Sequence, residues 1–245
     1  VADSPIRALP AGTPADAAVA DAVASWEPHL RLDPPGAQPV LYEPEGPIYA
    51  VLLGPACTLA TDRRRVAVAP LDLVVVSPGL AIDVEPAASF LALRHLGPPP
   101  PHFRERFVQV WGFEHRPAGA GPSRLVVDPD AAGHRLRHEV LDLGAGPTVV
   151  TLPPFARGLL AVPDEGREVV AAAGPHEVRL APGSIAILQP GTPLSLRGPA
   201  RVGLVTALPE GLHEARALER LRAGRVDRVD YPAPAGPAPR GIPGD

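Results

Sequence analysis

The sequence predicts an all-β protein with two tandem β barrels of jelly-roll type. Apolar stretches rich in Val, Leu, Ile and Ala are short and closed by proline or glycine turns, the pattern of strands of about 4–8 residues. Gly (24) and Pro (35) together approach a quarter of the 245 residues, and they fall mostly between apolar runs. The third observation is an internal repeat. Leu180–Leu196 (LAPGSIAILQPGTPLSL) has a sister 112 positions earlier, Val68–Val84 (VAPLDLVVVSPGLAIDV).

Composition narrows the class further. The hydrophobic fraction of 45 % is enough to fill two cores, and a chain of 245 residues suits one large domain or two smaller ones. The net charge of −4 argues against a nucleic-acid surface. No apolar run approaches the ~20 residues that span a bilayer. No basic region followed by an apolar core opens the chain, so the cytoplasm is the default location. Cys57 is the single cysteine, which excludes an internal disulfide and a cysteine-rich zinc site. A small buried hydrophobe is its plain role, and a catalytic thiol is the alternative. The basic run Arg63–Arg65 reads as a solvated turn.

In chain order, residues 1–39 form an arm and a helix. Val1–Pro14 is irregular. Ala15–Trp26 is Ala-rich with Ala18, Val19, Val23 and Trp26 near helical spacing, Thr13 placed to cap it and Pro14 at the first helical position. Residues 40–96 are the first barrel. Residues 97–123 connect the barrels: a proline string, then Phe103–Phe113, read as a helical turn running into a strand, then a loop at Arg116–Ser123. Residues 124–208 are the second barrel. Residues 209–245 hold a helix and a Pro-rich tail. Over Glu210–Arg222, Leu212, Ala215, Leu218 and Leu221 form one stripe with charges opposite, and Gly224 stands where a cap would be. From Asp230 the tail reads as disordered or as an extended arm.

Laid over each other without a gap, Val40–Leu96 and Leu152–Leu208 match in texture. Identical pairs include Gly46/Gly158, Gly54/Gly166, Pro70/Pro182, Pro78/Pro190 and Gly79/Gly191. Gly and Pro at turns are hard to replace, so the pairs mark two copies of one β domain. Closure into a barrel or jelly roll limits exposed sheet edges.

These turns resemble the cupin superfamily, in a two-domain, bicupin arrangement. Pro182-Gly183 followed by Pro190-Gly191-Thr192-Pro193 is similar to the second cupin motif, and Pro70-Leu71 followed by Pro78-Gly79 is a weaker version. Gly166 and Gly54 look like the closing glycines of the first motif. The resemblance implies a double-stranded β-helix barrel in each half. It also implies a metal held by three His and one Glu, and that set is degenerate here. The second-motif His falls at Leu194 and Ile82. Counting back from Gly166, the Glu falls near Leu159 and the two His near Pro153 and Phe155. Counting back from Gly54, the equivalents are Pro47, Leu41 and Glu43. Apolar side chains offer no lone pair, so no metal or other cofactor is expected.

Other residues keep alternatives open. Glu43, Glu45 and Arg157 are candidate ligand-binding groups facing the barrel interiors, since a buried charge needs a partner. His95, His102 and His115 form an alternative, non-standard metal set at the mouth of the first barrel. Tyr42 and Tyr49 are candidate acid/base groups for an isomerase- or epimerase-like enzyme. His134 and His138 read as a solvated linker, and His29, His176 and His213 as exposed. The leading expectation is a metal-free bicupin that binds a small polar molecule or serves as a structural or assembly module, as a homo-oligomer or as a subunit of a larger assembly. The alternative is an enzyme, either isomerase- or epimerase-like or a metal-dependent oxygenase with non-standard ligands such as His95, His102 and His115.

Overall fold

A computed structural model describes residues 4–11, 30–61, 64–95, 107–111, 124–127, 136–152, 157–191, 193–207 and 240–243. Every regular element among them is a strand, as the short, turn-bounded apolar runs require. The strands of the first half are β1 (Ile6–Leu9), β2 (Leu30–Leu41), β3 (Ile48–Leu52), β4 (Cys57–Ala60), β5 (Arg65–Val68), β6 (Leu73–Val76), β7 (Ile82–His95) and β8 (Phe107–Trp111). Those of the second half are β9 (Arg124–Val127), β10 (Leu136–Asp142), β11 (Thr148–Thr151), β12 (Arg157–Ala161), β13 (Val169–Ala173), β14 (His176–Leu180), β15 (Ile185–Leu188), β16 (Pro193–Arg197), β17 (Arg201–Ala207) and β18 (Arg240–Pro243). No helix among the described residues is long and apolar enough to cross a membrane.

The chain divides into two compact units. The first-half unit contains Pro10–Glu114, Pro163–Glu165 and Pro237–Asp245; the second-half unit contains Val1–Leu9, His115–Val162 and Gly166–Gly236. In the first-half unit one sheet runs in the order β18-β8-β6-β3-β7-β4-β5, with β2 also paired to β7. Strand β7 is the hinge of this sheet. Its end, residues 90–94, pairs β3, and its start, residues 83–85, pairs β4, so the sheet wraps around one core. In the second-half unit Arg197–Arg201 breaks the counterpart of β7 into β16 and β17. Two sheets result, β1-β15-β12-β17-β10-β9 and β11-β16-β13-β14.

Alternation along the strands fills each interior. Ile48, Ala50 and Leu52 of β3 meet Ile82, Phe90 and Ala92 of β7 in the first-half core. Leu160 of β12, Ala186 of β15 and Leu204 of β17 meet Val169, Leu194 and Leu196 of the smaller sheet in the second-half core. Burying a side chain of the size of Phe90 contributes about 2–3 kcal/mol.

The repeat is real in the turns but is not gap-free. Strands β6 and β15 stand 112 positions apart, and so do the turns before them. Leu71 N–H donates to the Leu52 carbonyl at 2.8 Å and Gly183 N–H to the Val162 carbonyl at 3.1 Å. Both turn residues have positive φ, 68° at Leu71 and 75° at Gly183, so the first copy holds a leucine where glycine is easier. Ladder register shows where the offset slips. Ile48 pairs with Val76, but Gly158 pairs with Leu188, so Gly158 is the counterpart of Ile48 and not of Gly46. Leu41 opposite Ile82 likewise matches Val150 opposite Leu194. Two more residues lie between Gly158 and Val169 than between their counterparts Ile48 and Cys57, which displaces the gap-free pairing upstream.

Several expectations from the sequence change. Ile6–Leu9 is a strand within the span 1–39 read as arm and helix, because Ile6 and Leu9 are both buried. The strands of the first-half unit begin at Leu30, ahead of residue 40, since a strand pairing the 14-residue β7 must be long. Phe107–Trp111 is the strand into which Phe103–Phe113 was expected to run, with Val108 and Val110 in the core. Arg240–Pro243 is a strand on β8, so this piece of the tail is ordered by backbone pairing. The expected helices at Ala15–Trp26 and Glu210–Arg222, residues 103–106 and the loop Arg116–Ser123 lie outside the described residues.

Gly54 marks a close approach of backbones. Its N–H donates to the Ser89 carbonyl, and a Cβ added there would stand 2.9 Å from Ser89 N. A Cβ at Gly146 would meet nothing within 4 Å. Gly54→Ala is therefore expected to lower stability by about 1–3 kcal/mol, the range for overpacking. Gly146→Ala is expected to stay within about 0.5 kcal/mol. Urea denaturation of both variants checks the contrast.

Candidate functional site

Polar groups inside an apolar sheet need partners, and the first-half unit supplies them at one end of its core. Arg94 follows Phe90 and Ala92 on the core side of β7 and stands opposite Ile48 in the ladder. Asp33 of β2 pairs with Ala92 and shares that side. Glu43 lies two residues beyond the buried Leu41. The side chains of Arg94, Asp33 and Glu43 are 13 %, 15 % and 14 % exposed. Arg94 Nε donates to Asp33 Oδ2. Its Nη1 donates to the Tyr42 carbonyl and lies 3.6 Å from Glu43 Oε2. On the solvent side Arg31 Nε is 3.4 Å from Asp33 Oδ1. Two carboxylates thus share one guanidinium, and a second arginine balances the charge.

The same register locates the counterpart in the second-half unit. Glu139 faces Leu204 as Asp33 faces Ala92, and Thr206 faces Gly158 as Arg94 faces Ile48. Leu152 stands two residues beyond Val150 where Glu43 stands two beyond Leu41. Glu139 is 2 % exposed, Thr206 5 % and Leu152 2 %. One unit therefore holds an arginine between two acids, and the other a single buried acid, a threonine and a leucine.

The candidates named from the sequence fall as follows. Glu43 is held by Arg94, and Glu45 is exposed. Ile82 and Leu194 are buried in the two cores, and so is Leu41. Leu159 and Arg157 stand on the face of β12 turned away from the core, because Gly158 and Leu160 take the inward positions. Tyr49 is buried on the side of β3 opposite the core, and Tyr42 is exposed while its carbonyl serves Arg94. His95 ends β7, with its side chain outside the described set. Pro153, Phe155, His29, His102, His115, His134 and His213 are also outside it. His176 is exposed.

His138 corrects a reading. It was expected in a solvated linker, and it lies in β10 at 0 % exposure, because Val140 and the pairing to β17 draw the segment into the sheet. Among the described residues no group of three or more His, Cys, Asp or Glu is arranged to hold a metal ion. Asp33, Arg94 and Glu139 had no motif around them. The signal for Arg94 was alternation: in Phe90-Leu91-Ala92-Leu93-Arg94 it occupies an inward position.

Cys57 is buried in β4. Burial pushes its thiol up to about 11, and the nearby Asp72 adds to the shift. A thiol that stays protonated at neutral pH is a poor nucleophile, so the structure favours the plain packing role.

No family model matches the chain, and no curated protein matches it. Solved structures do. The protein YhaK from Escherichia coli is 15 % identical, with a TM-score of 0.50 over 83 % of this chain and 93 % of that one. A Cupin 2 conserved barrel domain protein from Leptotrichia buccalis is 11 % identical at TM-score 0.46, covering 74 % and 85 %. The bacterial pirin YhhW from E. coli, solved with nickel(II), is 14 % identical at TM-score 0.45, covering 74 % and 80 %. At 15 % identity the likeness to YhaK is one of fold and transfers no ligand or reaction.

Two expectations follow. Arg94→Met leaves Asp33 and Glu43 without their shared cation and should cost about 3 kcal/mol, the lower end for breaking a buried pair. Adding Asp33→Asn and Glu43→Gln should recover most of that loss in urea denaturation. Cys57 should resist iodoacetamide at pH 8 in the native protein and react within minutes in denaturant, followed by mass spectrometry.

Proposed function

We propose that this chain is a degenerate bicupin, two tandem cupin-like barrels that act as a small-molecule-binding or structural module without conventional cupin metal chemistry. The observation that carries the reading is Arg94. It already neutralises the two acids at the end of the first-half core, so Asp33 and Glu43 are committed to a guanidinium. A cation entering there would have to displace a charge-assisted, geometrically matched partner. Ile82 and Leu194 support the reading at the positions where the family resemblance places a ligand histidine, since both are packed into the cores. The repeated Pro-turn-strand units and their shared register support the two-barrel part.

Elemental analysis and thermal denaturation of the full chain test this. The expected result is substoichiometric transition metal and an unchanged Tm on adding nickel, iron(II), manganese or zinc. A metal present at a hundred times its Kd adds about 2.7 kcal/mol, a shift of roughly 2–4 °C per kcal/mol for a chain of this size. Stoichiometric retained metal together with such a shift would overturn the reading.

A further inference from the structure

The geometry points to β1 as an exchangeable strand, and to the groove beside β15 as a docking site for the same strand of a second copy of this chain. Strand β1 is four residues long and sits at the end of its sheet, where it pairs with β15 from Ile6↔Leu188 to Leu9↔Ile185. Its attachment is extended by Gln189 N–H donating to the Pro5 carbonyl at 3.0 Å. Two apolar side chains anchor it. Ile6 belongs to the second-half core and Leu9 is equally buried on the opposite face. An empty groove would expose the edge of β15 and a hole in that core, so the site demands an apolar strand.

Nothing in this docking depends on which copy supplies the strand. The ladder is made by backbone groups, and the anchors are small features of one short segment. Twenty residues separate Leu9 from Leu30, and Leu30 begins a strand of the other unit. The segment therefore joins its sheet from a distance in sequence. Intramolecular docking wins in dilute protein because a tethered segment is present at an effective concentration of order millimolar. Concentrated protein held near the onset of unfolding shifts the balance to reciprocal exchange. Each copy then lends its Ile6–Leu9 to the other, giving a closed two-fold dimer.

Paired cysteines test the exchange. Ala8 and Ala186 are ladder partners. The double variant Ala8→Cys/Ala186→Cys should form an intrachain disulfide on oxidation, which checks the register. A mixture of the two single variants, concentrated, warmed and oxidised, should give a covalent heterodimer, seen by non-reducing electrophoresis and mass spectrometry. A mixture that stays monomeric while the double variant closes would overturn the proposal, and so would failure of the double variant to close. Light scattering on the chain without added cysteines is the second measurement. The same incubation should produce a dimer that Ile6→Asp abolishes. A wild-type chain that remains monomeric would again overturn the proposal.

Discussion

Strands β3, β6 and β15 are buried on both faces, and β12 nearly so. Their peptide groups can therefore be satisfied only sideways, within the sheet. That requirement organises the rest. Each buried strand needs two neighbours, and neighbours in sequence cannot always provide them. Strand β15 takes β12 on one side and β1, from the start of the chain, on the other. Strand β6 takes β3 and β8, and β8 takes β18 from the far end. The two halves share turns 112 positions apart, yet the larger sheet of each is completed by a strand brought from a distance.

The same demand explains the polar groups that remain inside. A charge on an inward strand position is tolerated only with a partner, and in the first-half unit Arg94 meets that condition for both Asp33 and Glu43. The second-half unit reaches a different solution at the matching place, with Glu139, Thr206 and Leu152. Two units with a similar pattern of turns thus hold different interiors. The turns are constrained by backbone geometry, while the interior is constrained only by volume and by pairing of charges.

Much of the fold was legible in the sequence because turn chemistry is local. The prolines and glycines around Pro70, Pro78, Pro182 and Pro190 mark strand ends whatever surrounds them. The strands β4, β5, β6, β13, β14 and β15 follow from those marks at an offset of about 112. The site was less legible. A two-residue difference after β3 and β12 is invisible to a gap-free comparison, and it moves a residue to another ladder partner while keeping it on the same face of its strand. The turn around Gly166 does not mark which alternate residues of β12 face the core, so Leu159 and Arg157 were placed inward although Leu160 takes that side. His138 read as part of a polar linker because Arg135 and Arg137 flank it, although the ladder to β17 buries it.

By itself, then, the sequence determined the strand class, the repeat and the apolar character of Ile82 and Leu194. Each of these is written in residues close together in the chain. Only the tertiary structure decided that Asp33, Glu43 and Arg94 meet and that Ile6 completes a core built from residues after 140. It also decided that Arg240–Pro243 lies on β8. Those contacts join residues dozens to more than a hundred positions apart, and ladder register and closure of the sheet, not local propensity, select them.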